Sequence, residues 1–283
     1  MYQVRTDLAL EAREKFEDDH VEVKGVIVKQ EHVKGNMTVT KVVIETENGA
    51  KAMGKPKGNY VTLEAPDMAD SDEDYHREIS MQLAKILKEL IPIEKKELSV
   101  LVVGLGNREV TPDALGPRVV DNMMITRHII RKFGKYAFGL KNNHQISSIV
   151  PGVMAQTGME TLEIIKGVLE ETTPDYIIAV DALAARSTKR LNRTIQITDT
   201  GISPGSGVGN HRHALNRESV GIPVIAIGIP TVVDAVTIVG DTMSNLVSAM
   251  EETRRLEGLG HSISQLEEAE KHELIRELLS PNL

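Results

Sequence analysis

The sequence contains no cysteine. Disulfides, thiolate metal sites and a cysteine nucleophile are therefore excluded, and any catalysis falls to carboxylates, histidines, hydroxyls or lysines. No apolar run approaches the roughly 20 residues that a membrane helix needs. The N-terminal stretch MYQVRTDLALEARE has no apolar core of the signal-peptide kind. These absences predict a cytoplasmic protein with no membrane partner. A basic excess is missing too: 33 Lys and Arg stand against 41 Asp and Glu, the net charge is -8, and no basic run of nucleic-acid type occurs, which argues against direct nucleic-acid binding. What remains is a chain of 283 residues, 41% hydrophobic and 26% charged. That is enough to bury a full core, as one large domain or two modest ones.

From Val21 to Leu63, short β-branched runs alternate with the turn signals Lys34-Gly35-Asn36, Asn48-Gly49 and Lys57-Gly58-Asn59, a pattern of strands joined by tight turns. From Ser71 the period becomes helical. Ile79, Leu83, Ile86, Leu87, Leu90 and Ile91 fall on one face, Ser71 and Asp74 resemble a capping box, and Pro92 closes the segment. Beyond it one rhythm repeats. The strands LSVLVVGLG, ISSIVPG, DYIIAVDA and IPVIAIGIP are each followed by a helical stretch, with starts expected at Thr157 (partner Glu160) and Thr231 (partner Asp234). Apolar strands alternating with capped helices predict an α/β fold: a mostly parallel twisted sheet covered by helices on both faces, with N-terminal β-hairpins attached. No linker, low-complexity tract or fixed-period repeat divides the chain, so one domain over 1–283 is expected.

Gly104 and Gly106 suggest a dinucleotide turn, but the third glycine of Gly-x-Gly-x-x-Gly would fall at position 109, where Glu109 would repel a pyrophosphate. GISPGSGVGN, from Gly201 to Asn210, lacks the Gly-Lys-Ser/Thr ending of a P-loop. It reads equally as an active-site rim, with Gly205, Gly207, Gly209 and His211, or as a surface loop. Thr111 looks like an N-cap with Pro112 at the first helical position, so Asp113 falls in a first turn, where the dipole alone would favour it. Asp181 follows the apolar run Tyr176–Val180 at its carboxyl end, the edge where open parallel sheets bind ligands; capping the next helix is its other role. If the two strands are neighbours, the two aspartates converge. Two close carboxylates cannot both ionise freely, which supplies an acid and a base at one pH. His211 and His213 form an i, i+2 pair that reads as surface or as metal ligands. Asp234 reads as a cap and Asp241 as a surface residue. Asp7 reads as the N-cap of a helix carrying Leu8, Ala12 and Phe16.

The blocks RTDLALEA, YVTLEA, VGLGNREVTPDALGPRVV, PGVMAQTGMET, DYIIAVDALAAR, TIQITDTGISPGSGVGN and GIPVIAIGIPTVVDAVTIVGDT, with KHELIRELLSPNL near the end, resemble the germination proteases of spore-forming bacteria. The resemblance implies an atypical aspartic endopeptidase that degrades small acid-soluble spore proteins during germination, made as a zymogen in the spore core and assembled as a homotetramer, with no cofactor. It places the essential aspartates of the TPDALGP and DALAAR motifs on Asp113 and Asp181. It also makes Asp7-Leu8, within RTDLA, the processing bond, with residues 1–7 as a short propeptide and an acid followed by a small apolar pair as the sequence read. The chain ends at Leu283 without the longer tail usual in that family, which bears on tetramer contacts and substrate access but touches neither aspartate.

A more distant similarity, to hydrogenase maturation endopeptidases, lies in the order of GxGN, an acid before A-x-G, and a strand ending in Ala-Asp. Those enzymes bind a metal with the two acids and a histidine that follows Ser-Pro. Here Gly205 occupies that place, with His211 or His213 as substitutes, so a metal-free aspartate pair is expected. The alternatives are a metal-dependent maturation-type peptidase and a non-enzymatic small-molecule-binding α/β module.

Overall fold

The computed structural model describes residues 7–12, 24–69, 72–93, 97–134, 144–204 and 213–252. Its centre is an eight-stranded sheet in the order β1-β2-β3-β7-β8-β6-β4-β5. The N-terminal strands β1 (Val26–Val33), β2 (Met37–Ile44) and β3 (Gly58–Glu64) form the expected antiparallel hairpins. In β2, Met37, Thr40, Val42 and Ile44 are buried. Asn48-Gly49, expected as a turn, lies instead in helix α1 (Glu47–Met53), because the Thr46 hydroxyl accepts the Gly49 N–H and starts a helix that outweighs the turn signal.

Helix α2 (Glu73–Leu90) buries Ile79 and Ile86 and packs Leu83, Leu87 and Leu90 against the sheet, the face read from the sequence. Its cap is Asp72, whose carboxylate accepts the Tyr75 N–H at 3.0 Å, and the expected Ser71 lies outside the described residues. Next come β4 (Ser99–Gly104), a 3-10 turn (Thr111–Asp113), α3 (Leu115–Asp121), α4 (Arg127–Phe133) and β5 (Gln145–Ile149). After a short α5 (Met154–Thr157), α6 (Thr161–Thr172) is capped by Glu160 with Glu163 completing the box, so Thr157 ends one helix and does not open the next. The remaining elements are β6 (Tyr176–Ala185), a second 3-10 turn (Thr188–Arg190), β7 (Thr194–Thr198), α7 (Arg217–Val220), β8 (Val224–Val233) and α8 (Ala235–Glu252). Thr231 belongs to β8 and not to a helix start: Val232 and Val233 pair with Ala184 and Ala185, and the helix begins only after Asp234, whose carboxylate accepts the Val236 N–H. Among the described residues no helix is long and apolar enough to cross a membrane.

The α/β architecture with helices on both faces is as expected, but only half of the sheet is parallel. β8, β6, β4 and β5 run parallel, while β1, β2, β3 and β7 pair antiparallel up to the β7–β8 junction. The short link over residues 186–193 explains the reversal. A return to the same direction needs a crossover of about a dozen residues or more, so β7 runs opposite to β6 and joins the hairpins to the parallel strands. Alternation along β4 divides the core. Val100 and Val102 face α2 and α3, while Leu101 and Val103 face Ile165 of α6.

Helix α3 lies directly on the backbone of β4 and β6. A Cβ on Gly116 would stand 2.3 Å from the Leu105 carbonyl oxygen and 2.5 Å from that of Val180. The Val180 carbonyl cannot retreat without losing its bond from the Leu105 N–H. Gly116→Ala is therefore expected to destabilise the protein by about 1–3 kcal/mol. Gly167→Ala, on α6 where nothing lies within 4 Å, should stabilise it by about 0.5–1 kcal/mol through helix propensity. Urea midpoints of the two variants at unchanged slope check both signs.

Candidate active site

The pairing of β4 with β6 ends at Gly104 and Val180, and the Leu105 N–H closes it with a 2.8 Å bond to the Val180 carbonyl. Asp181 is thus the first residue of β6 beyond the end of β4. It lies inside the strand, since β6 continues along β8 to Ala185, which replaces the expected position after a strand. Asp181 is 6% exposed, and its Oδ1 accepts the Ala182 N–H at 2.9 Å.

Asp113 reaches the same place from above. Gly106, at φ +110°, passes so close to the 3-10 turn that a Cβ there would stand 2.0 Å from the Asp113 carbonyl oxygen. The Thr231 hydroxyl of β8 donates to the Pro112 carbonyl at 2.6 Å. Asp113 Oδ2 accepts the Asn107 N–H at 2.8 Å. Asn107 is fixed in turn, its Oδ1 accepting from the Glu109 N–H and from Gln156 Nε2. The expected N-cap at Thr111 does not form. Thr111 to Asp113 make a separate 3-10 turn and α3 begins at Leu115, so Asp113 precedes the helix and its Oδ2 is held by the Asn107 amide. Asp113 and Asp181 line one cleft of about 370 Å³, with Asp7, Gly106, Leu183 and Ser203 also in its wall.

In this sequence the match to the germination protease family model runs over residues 4–256. A germination protease of Caldanaerobacter subterraneus subsp. tengcongensis is 49% identical over 98% of this chain and 84% of its own length. That of Clostridium tetani is 46% identical over 98% and 85%, and that of Bacillus cytotoxicus 51% over 86% and 66%. The chain belongs to the germination protease family. It is a peptidase, and the cleft that holds both aspartates is its candidate active site.

Other sequence-predicted residues fall elsewhere. Gly205, Gly207, Gly209 and His211 lie outside the described residues. His213 is exposed and pairs with Glu160 through Nδ1 at 2.7 Å. Asp241, expected on the surface, is half-buried and accepts the Thr188 N–H and hydroxyl at 2.8 and 2.7 Å, tying α8 to the turn after β6. Among the described residues no group of three or more His, Asp or Glu could hold a metal ion.

Asp7 does more than the expected cap. Its N–H donates to the Ala184 carbonyl at 3.1 Å, and its Oδ2 accepts the Ala184 N–H at 2.9 Å. The Asp7 carbonyl accepts from Lys55 Nζ at 2.9 Å and Gln196 Nε2 at 3.1 Å. Burial holds the Lys55 pKa below the usual lysine value, with Asp7 and Glu11 acting in the other direction. Glu11, 2% exposed, accepts the Arg186 and Ser187 N–H groups and pairs with Arg190. Lys55, Glu11 and Gln196 were not singled out from the sequence. The signal for Gln196 was there: a glutamine inside TIQIT, a strand buried at every position, needs a partner.

Thr231→Val keeps the shape of the side chain but removes the tie to the Asp113 turn. Several-fold lower kcat at near-native stability is expected, since a neutral hydrogen bond contributes about 1 kcal/mol. Steady-state peptidase assays beside thermal melts test this; unchanged kcat would mean that Thr231 does not position the turn.

Proposed function

We propose that the protein is an endopeptidase that begins the degradation of small acid-soluble spore proteins during germination, in the spore core, with Asp113 and Asp181 as an aspartate pair that activates water. The observation that carries this reading is the shared cleft: the two carboxylates arrive from different elements, α3's approach turn and β6, and line the same cavity. Two carboxylates that meet at close range ionise in turn, which leaves one charged and one protonated at the same pH. The ionised carboxylate takes a proton from water as its oxygen attacks the peptide carbonyl carbon. The protonated one donates to the carbonyl oxygen. When the tetrahedral intermediate collapses, the C–N bond breaks, the leaving amine takes up the proton held by the first carboxylate, and one hydroxyl of the intermediate returns its proton to the second as the carbonyl reforms. Homotetrameric assembly belongs to this reading through the family resemblance.

Asp113→Asn and Asp181→Asn should each reduce cleavage of a small acid-soluble spore protein by about 10²–10⁴-fold, the usual contribution of a general acid or base, with circular dichroism unchanged. Because Gly205 stands where a metal-ligating histidine would be needed, wild-type activity should withstand chelation verified by elemental analysis. More than a tenth of wild-type activity in either variant would reject the aspartate pair, and loss on chelation restored by zinc or nickel would support the metal-dependent reading.

The zymogen reading makes residues 1–7 a short propeptide cut at Asp7-Leu8. Leu8 and Ala9 are fully buried and Asp7 lines the cleft with Asp113 and Asp181, so this bond lies beside the residues proposed to cut it. Incubation of the full chain at mildly acidic pH followed by N-terminal sequencing should give Leu8 as the new terminus, with no such product from Asp181→Asn. An active protein that keeps Met1 throughout would reject self-processing.

A further inference from the structure

Residues 7–9 have the contacts of a bound peptide before the chain enters a helical turn over 9–12, where the Ala12 N–H donates to the Leu8 carbonyl. The Asp7 main chain and carboxylate pair with Ala184 of β6. One side chain, Gln196, grips two backbone groups, donating to the Asp7 carbonyl and accepting the Ala9 N–H at 2.6 Å. Lys55 Nζ donates to the same Asp7 carbonyl. Leu8 packs with Leu183, Ala185 and Ile202, and Ala9 enters a second apolar cluster with Val42 and Tyr60. Backbone carbonyl and amide groups are common to every polypeptide, so Lys55 and Gln196 suit any chain laid along this path.

The register places that path beside the aspartates. Asp181 pairs with Gly228, and Gly228 with Gln196, so Asp181 and Gln196 stand on the same face two strand spacings apart, about 10 Å. The residue between them has no side chain, and the Leu183 side chain lies over it, since a Cβ on Gly228 would stand 2.5 Å from that side chain. Gln196 is 7% exposed and Lys55 half-buried. Donors so placed are costly without an acceptor, and a chain lying in the channel supplies one.

We propose that the seat of Asp7 to Ala9 is the channel in which a protein substrate lies, and that Lys55 and Gln196 are its positioning residues, holding the carbonyl of the substrate residue that takes the place of Asp7. This rests on the reading of the Asp113–Asp181 cleft as the place of cutting. The N-terminal segment is then a resident competitor for the same donors. A purely structural role predicts the opposite behaviour, in which loss of either donor frees the segment and leaves peptide binding intact.

The test uses the full chain carrying Asp181→Asn, so that turnover does not consume the probe, and Glu11→Ala, which removes the segment's tie to Arg186 and Ser187. The probe is a fluorescein-labelled peptide of residues 4–12, VRTDLALEA, followed by anisotropy. Adding Lys55→Met or Gln196→Leu should weaken binding at least about tenfold, as expected for loss of a hydrogen bond from a charged or buried donor, while Lys55→Arg should stay within about threefold of the parent. In a chain altered at position 55 alone, Lys55→Met should lower kcat/KM for the spore-protein substrate at least about tenfold, while Lys55→Arg keeps it within about threefold. Equal affinity in both variants, or no saturable binding to the parent, overturns the proposal. If Gln196→Leu fails to fold, Lys55→Met, at a half-buried position, carries the decision. Should Asp181→Asn still cut substrate, the aspartate reading falls while the anisotropy series still decides the role of Lys55 and Gln196.

Discussion

The contact on which the site depends is one between backbones with no side chain in the way. Gly104, Gly106 and Gly116 let the segment after β4 fold back onto the ends of β4 and β6, with the Gly116 carbonyl 2.4 Å from where a Gly104 Cβ would stand. Any larger residue would lift the 3-10 turn off the sheet and carry Asp113 with it. The glycines that resemble a phosphate-binding turn serve protein packing instead: their lack of Cβ admits a peptide plane, and the amide they expose, that of Asn107, is bound to Asp113. The same local economy explains why a carboxylate from a turn and one from inside a strand arrive in one cleft.

Much of this was legible in the sequence because the signals were local. The parallel strands announce themselves as apolar runs, and Asp181 was identifiable from the run that precedes it. Helix starts were read less well, since β-branched residues such as Val232 and Val233 extend a strand when a neighbour offers pairing, and no single-chain pattern shows that neighbour. The Asn48-Gly49 turn failed for the reverse reason, because a threonine cap two residues earlier favours a helix. β7 was missed as an antiparallel element because its direction is set by the length of the link before it. The seat of residues 7–12 was the least legible part. Its partners lie on β6, β7 and the loop after α1, and nothing in the neighbourhood of Asp7 records them.

β8 links the two halves of the sheet in more than pairing. It runs parallel to β6 and antiparallel to β7, contributes Gly228 between Asp181 and Gln196, and holds the Asp113 turn through Thr231. Gly228 and Thr231 thus belong to one strand, whose register against β6 shifts at Thr231. The buried and half-buried charged residues nearby are matched: Glu11 and Glu64 share Arg190, and Asp241 closes the turn that carries it. Burying such groups is tolerable only because each is hydrogen-bonded or paired.

The bonds from Asp7 to Ala184 and from Ala9 to Gln196 join residues 177 and 187 positions apart. Contacts of that span are slow to form, because a long stretch of chain must be closed into a loop before they return any energy. During synthesis residues 7–9 leave the ribosome long before β6, β7 and β8, and they have no seat until those strands have followed and paired. The cleft is therefore among the last parts of the molecule to be completed, and a nascent chain carries both aspartates well before it has the wall that would present a peptide to them.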